Sequence, residues 1–278
     1  MILDKNLAQR ILSALFYVGF IFLGTLVNKY FFTLMLITFA ALCLYELIRI
    51  LKYESNLSIL IAVGLVCLLF YLYISKFFLL QTSFKFSMVN LLTILLFILA
   101  SITILFFDDE LYTDQGKIIF TTIYIGLPFS LAFTIPTIVD ETKISTEILL
   151  IFCLIWLSDT AAFFIGKLFG KRKLASKISK KKTVEGFLGG IICVVISGYL
   201  IQNYMNFGVK GNWAIIGLII AITAPIGDLV ESKIKRTFNV KDSSNLLPGH
   251  GGFLDRLDSF IFCIPFLFLY FIFALKFN

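Results

Sequence analysis

The sequence is poor in charge, in histidine and in paired cysteine, and each shortage removes a class of protein. Only 15% of the 278 residues are charged while 59% are hydrophobic, and the mean hydropathy of +0.97 exceeds what a water-soluble domain carries. His250 is the single histidine, which excludes multi-histidine zinc sites and any relay through several imidazoles. The five cysteines, Cys43, Cys67, Cys153, Cys193 and Cys263, lie inside apolar runs with no C-x-x-C pair and no zinc spacing, so they read as packing residues. The net charge of +7 is spread in groups between apolar runs instead of forming one soluble basic face, so nucleic acid is not an expected partner.

What is present is long hydrophobic runs. Nine spans are expected, at about 11–27, 31–50, 57–75, 88–107, 117–138, 147–168, 186–204, 212–232 and 258–275, each long enough to cross a hydrocarbon core of ~30 Å as a helix. Lipid offers no partners for backbone N–H and C=O groups, and the runs lack the alternation of barrel strands, so the expected class is an all-α polytopic membrane protein. Lys5 and Arg10 precede the first run as in a signal peptide, but no A-x-A-like site follows, which predicts a retained anchor. Six lysines (Lys29, Lys76, Lys85, Lys143, Lys210, Lys276) fall on one set of alternate connections and the other 18 of the 24 Lys and Arg fall on the opposite set. The positive-inside rule then sets an N-in, C-out orientation with the basic segments 167–182 and 233–256 in the cytoplasm.

Residues 1–145 carry polar groups mainly at span ends and read as a scaffold; residues 146–278 are the expected catalytic region. From about 156 onward ionisable residues enter or abut the spans: Asp159, Lys167, Glu185, Asp228, Glu231, Lys235, Asp255 and Asp258. Charge inside a membrane is costly and marks a functional site. Ala162, Gly166 and Gly170 recur every fourth residue beside Asp159 and Lys167, a spacing that lets helices approach closely, as Gly186, Gly189 and Gly190 also would. The cations of Lys171-Arg172-Lys173, Lys177 and Lys180-Lys181-Lys182 suit anionic lipid and would equally attract a phosphorylated head group or a triphosphate.

The densest segment is 227–259. In a helix, Asp228, Glu231, Ser232 and Lys235 stand at i, i+3, i+4 and i+7 and share one face, which after the apolar stretch Trp213–Ile226 must look into a cavity or a cytoplasmic mouth. Pro248-Gly249-His250-Gly251-Gly252 is a loop whose glycines can turn N–H groups toward an anion. Asp255-Arg256-Leu257-Asp258 follows at once and supplies hard oxygen donors of the kind Mg²⁺ takes.

At these residues the chain resembles the phosphatidate cytidylyltransferases, or CDP-diacylglycerol synthases. Their signature is met by Ser232, Lys235-Arg236, Lys241-Asp242, Pro248, His250-Gly251-Gly252, Asp255-Arg256 and Asp258, preceded by Gly227, Asp228 and Glu231, with Asp159 and Ala162 matching a further element. Ser179, Lys181, Lys182, Thr183 and Glu185 match a basic motif in which Lys180 replaces the usual proline, losing a rigid turn.

The resemblance implies transfer of CMP from CTP to phosphatidate, giving CDP-diacylglycerol and pyrophosphate. It also implies a Mg²⁺ requirement with room for a second cation, a homodimer, and a site facing the cytoplasm from a bacterial inner membrane. On that basis Asp228 and Asp255 are the expected metal ligands and, with Lys235 and Arg256, the expected catalytic set. The other signature residues, Asp159 and Lys167 among them, are expected to bind substrate, with Lys235, Arg236, Lys241 and Arg256 neutralising phosphate oxygens. A phosphate nucleophile needs no side-chain base, which suits a chain with one histidine. Two other assignments stay open: a cytidylyltransferase for a different lipid phosphate, and a cation-coupled transporter, for which no inverted repeat is visible.

The orientation is testable with single cysteines at Lys180 and Lys210 in a cysteine-free background. An impermeant thiol reagent on intact cells should label position 210 and spare position 180; the opposite pattern would reverse the topology.

Overall fold

Asn28, Thr113, Thr183 and Asn212 each stand where an extended or turning backbone gives way to a helix, and each side-chain oxygen accepts an N–H of the first turn that has no intrahelical partner. Between such caps the apolar runs coil, because an α-helix satisfies its own backbone in lipid. The computed structural model describes residues 5–79, 88–106, 113–136, 145–175, 179–204, 211–249 and 251–276.

Its elements are α1 (Lys5–Leu26), α2 (Lys29–Leu51), α3 (Asn56–Leu79), α4 (Met88–Phe106), α5 (Asp114–Thr121), a π turn (Thr122–Gly126), α6 (Leu127–Ala132), α7 (Thr146–Phe169), β1 (Lys173–Ala175), β2 (Ser179–Thr183), α8 (Val184–Tyr204), α9 (Trp213–Thr237) and α10 (Leu254–Lys276). Among the described residues seven helices, α1, α2, α3, α7, α8, α9 and α10, are long and apolar enough to cross a membrane. The expected span 88–107 corresponds to α4, with a shorter apolar stretch at Ile94–Thr103. The expected span 117–138 is interrupted. Pro128 has no N–H to return to the preceding turn, and the ladder widens just before it, with the Leu127 N–H bonded to the Thr122 carbonyl.

Two helix ends differ from the sequence expectation in a way that matters for the site. Helix α9 runs on to Thr237, past the expected end at 232, so Lys235 and Arg236 are helical; α10 starts at Leu254, ahead of 258, so Asp255 and Asp258 occupy its first two turns. The basic segment before α8 forms an antiparallel hairpin, pairing Lys173 with Thr183 and Ala175 with Ser179. In the first half of the chain, Asp114 ties α5 to the start of α3 by accepting the Glu54 and Ser55 N–H groups, both at 3.0 Å. The Glu54 bond is the main cause that draws its carboxyl down to about 2.

Helix α10 is the central element: 72% of its apolar window is buried, against 17–50% for the other six. It packs along α9 and also meets α2, α4, α6 and α7. Phe260 stacks on Phe152 of α7 at 4.5 Å between centroids and lies 5.8 Å from Phe129 of α6, so one apolar core runs through both halves of the chain. The large apolar side chains left exposed on α1, α3, α7 and α8 suit a lipid environment.

The small residues are packing surfaces. A Cβ on Gly186 would meet the Ala162 carbonyl and Gly166, so α7 and α8 cross where the sequence has its four-residue repeat. Gly227 matters most for the site, since a Cβ there would lie 2.6 Å from the Asp258 carbonyl oxygen and 2.7 Å from Phe262 Cβ. Gly227→Ala must therefore push α9 away from α10, and about 1–3 kcal/mol of stability should be lost by overpacking. Thermal unfolding in detergent measures this, and a variant as stable as the parent would show that the crossing tolerates a methyl group.

Candidate active site

The crossing at Gly227 brings acids of α9 to acids of α10. Carboxylate oxygens of Asp228, Glu231 and Asp258 lie within 4.8 Å of one another. Glu231 and Asp258 are buried and Asp228 is half-buried, with Ser232 Oγ donating to Asp228 Oδ1 at 3.3 Å. Like charges this close repel, so cations must be near. The Lys235 ammonium, one turn along α9, lies 2.7 Å from Glu231 Oε2 and 2.6 Å from Asp255 Oδ1. Lys182, at the end of β2, reaches Asp228 Oδ2 at 2.5 Å and donates to the Pro225 carbonyl at 3.1 Å. Asp159 of α7 is exposed and electrostatically coupled to Lys182, Asp228 and Arg256, which puts it on the rim of the same cluster.

Asp255 has a different environment from Asp228. Its Oδ1 faces Lys235, and its Oδ2 accepts the Gly252 N–H at 2.9 Å and the Ser243 N–H at 3.1 Å. The sequence assigns Gly251 and Gly252 to an anion cradle; the Gly252 donor is taken by this internal carboxylate, while Gly251 has φ +87° and pairs its carbonyl with the Leu247 N–H. His250 lies outside the described residues.

The hairpin residues divide. Thr183 caps α8 through the Gly186 N–H, and Glu185 accepts the Lys171 and Arg172 N–H groups, closing the hairpin base. Ser179 and Lys181 belong to β2, but their side chains lie outside what the structure describes. Arg236 is exposed and bonds the Val240 carbonyl at 3.5 Å. Lys167, Lys241, Asp242 and Arg256 are exposed. Of the expected residues, then, Asp159, Lys182, Asp228, Glu231, Ser232, Lys235, Asp255 and Asp258 meet in one region.

Four groups near the site were not anticipated from sequence. Glu46 of α2 is fully buried and accepts from Ser243, Ser244 and the N–H groups of Phe253 and Leu254. A lone carboxylate within the run Phe39–Ile48 was the available signal, since intramembrane acids need a reason wherever they occur. Ser243 and Ser244 carried no signal of their own. Tyr124, on the π turn, is buried, electrostatically coupled to Glu231 and Asp258, and its hydroxyl finds no hydrogen-bond partner among the described residues.

Two buried carboxylates and the half-buried Asp228, with Glu231 Oε1 left unpaired among the described residues, form a set of hard donors that fits a divalent cation such as Mg²⁺. Lysines from two elements stand beside it, so anionic oxygens could be held against the same acids.

Comparison with known proteins identifies the family. The sequence model described as "Cytidylyltransferase family" matches residues 8–274. A protein of Bacillus subtilis named phosphatidate cytidylyltransferase is 36% identical over 275 residues, 97% of this chain and 98% of that protein. Proteins with the same name from Staphylococcus saprophyticus and Staphylococcus aureus are 41% and 39% identical over 175 residues, 62% of this chain and 64% of theirs. The match spans nearly every described element, from α1 to α10, and on that extent the chain belongs to the cytidylyltransferase family.

Proposed function

We propose that this chain joins CTP to phosphatidate, forming CDP-diacylglycerol and releasing pyrophosphate, from a site at the cytoplasmic face of a bacterial inner membrane. The observation that carries the proposal is the Asp228, Glu231 and Asp258 cluster with Lys182 and Lys235 beside it, at the end of apolar helices in a chain so closely similar to named phosphatidate cytidylyltransferases. A lipid phosphate needs such a location, because its acyl chains stay in the bilayer while the nucleotide arrives from water.

The reaction is a phosphoryl substitution. A phosphatidate oxygen attacks the α-phosphorus of CTP, the bond to the bridging oxygen breaks, and pyrophosphate leaves with that electron pair. The nucleophile is already an anion, so the residues have to bring two anions together and stabilise the charge that builds on the leaving group. Lys182 and Lys235 can exchange carboxylate partners for phosphate oxygens, and Arg236, Lys241 and Arg256 lie on exposed surfaces where the nucleotide and head group approach. Asp228, Glu231 and Asp258 are the residues that would hold Mg²⁺, which would supply Lewis-acid neutralisation of phosphate oxygens. Asp255 was expected to share that ion with Asp228, but with Lys235 between it and Glu231 we assign it to holding the lysine and the loop. A homodimer and a second cation belong to the same proposal and draw their support from the family resemblance.

Purified protein supplied with radiolabelled CTP should form CDP-diacylglycerol from phosphatidate. Turnover with a polyprenyl phosphate alone, or ion-dependent uptake into sealed proteoliposomes without CTP consumption, would overturn the assignment.

The ligand set has its own test. Asp228→Asn and Asp258→Asn should each lower turnover by about 10²-fold or more, the scale of losing one key electrostatic contact. Mn²⁺ binding, followed by electron paramagnetic resonance on nucleotide-free protein, should weaken in both and persist in Asp255→Asn. Loss of Mn²⁺ in Asp255→Asn with retention in Asp258→Asn would restore the pairing of Asp228 with Asp255.

A further inference from the structure

We propose that Glu46, in the half of the chain expected to be scaffold, is a positioning residue for cytidylyl transfer: it clamps both ends of the loop between α9 and α10 and so fixes where Asp255 and Lys235 stand. The proposal rests on the function assigned above, but its structural part can be tested without it.

The clamp is complete on geometry alone. Glu46 Oε2 accepts from Ser243 Oγ at 2.8 Å and from the Leu254 N–H at 2.8 Å; Oε1 accepts from Ser244 Oγ at 2.5 Å and from the Phe253 N–H at 3.0 Å. Each oxygen therefore holds one group from the start of the loop and one from its end. Phe253 and Leu254 open α10, where N–H groups lack helical partners and the helix dipole favours an acid. Such caps usually come from a neighbouring Ser, Thr, Asp or Asn; here the cap comes from about 200 residues away.

From Glu46 the contacts lead to the acids. Ser243 Oγ lies 2.8 Å from Glu46 and 3.1 Å from Asp255 Oδ2, so its one proton serves either carboxylate, while its N–H also donates to Asp255. Asp255 holds Lys235, and Lys235 holds Glu231. Gly252 leaves the space, since a Cβ there would overlap Ser243 Oγ and the Glu46 carboxylate. The Phe253 ring packs against Phe39 of α2 at 5.9 Å and Tyr17 of α1 at 6.4 Å, seating the loop end on the same scaffold helices. A buried carboxylate is costly unless fully hydrogen-bonded, and an apolar residue would pack α2 at no such cost. What the carboxylate adds over an apolar residue is the orientation of the loop.

The test compares Glu46→Gln, Glu46→Asp and Ser244→Ala with the parent in lipid nanodiscs. Turnover is measured against CTP and phosphatidate, and hydrogen exchange is followed over residues 243–254. Glu46→Gln replaces an acceptor with a donor facing donors. It should lower kcat by about 10²-fold, the cost of a displacement near 1 Å in a reacting constellation, and raise KM for CTP more than KM for phosphatidate. Exchange at 253 and 254 should quicken while that of α7 and α8 stays unchanged, and Glu46→Asp should recover part of both. Ser244→Ala should give a smaller change of the same kind. A folded Glu46→Gln with parental kcat, KM and loop exchange would overturn the clamp. Should Glu46→Gln fail to fold, parental kinetics and exchange in Ser244→Ala would overturn it equally. If the parent itself does not turn over CTP, the functional assignment fails, and loop exchange alone still decides whether Glu46 is the clamp.

Discussion

Lys235 ties the site together, because its single charge is shared by Glu231 at 2.7 Å and Asp255 at 2.6 Å. One partner is on the same helix and the other on α10, so the ammonium links the two helices that cross at Gly227. Without it, two carboxylates would face each other in a poorly hydrated region, where an uncompensated charge costs several kcal/mol, about 3–5 when a buried pair is broken. Lys182 does the corresponding work for Asp228 from the hairpin. The acids can be close only because cations from two directions hold them there.

This arrangement suits a reaction whose difficulty is repulsion. A site organised around proton transfer would need a base with a tuned affinity for protons, and the chain has one histidine. A site organised around charge needs acids for an ion, basic groups for phosphate and rigid supports for both. The supports are visible. Glu185 and Thr183 fix the hairpin that carries Lys182, the glycines of α7 and α8 bring that hairpin against the bundle, and the loop amides hold Asp255. Several signature positions therefore bind protein groups and fix the elements that carry the lysines.

Much of this is legible in the sequence. The apolar runs report helices because lipid leaves the backbone no other choice, and the four-residue stripe from Asp228 to Lys235 reports one face because α-helices have 3.6 residues per turn. The meeting of Asp228 and Glu231 with Asp258 was less legible, since it depends on where α10 starts and on a close crossing at one glycine. Asp255 and Asp258 look alike in sequence, yet the helical turn sends one toward Lys235 and the loop and the other toward α9. The break at Thr122–Gly126 was hidden for a related reason: one proline in an apolar run is compatible with a continuous span, and whether the ladder widens is settled by packing.

Glu46 shows why a division of such a chain into scaffold and catalytic halves misses part of the physics. Its local sequence is that of an ordinary span, and its role exists only once α2 lies beside the start of α10. The same helix that buries Phe39 and Cys43 in the apolar core turns Glu46 toward the loop, so packing of the first half fixes the loop through one carboxylate. Since α10 is also the most buried of the seven candidate membrane spans, a shift in α2 reaches Asp255 and Asp258 through a rigid element, with little room to relax. The first half thus sets the geometry of acids it does not contain.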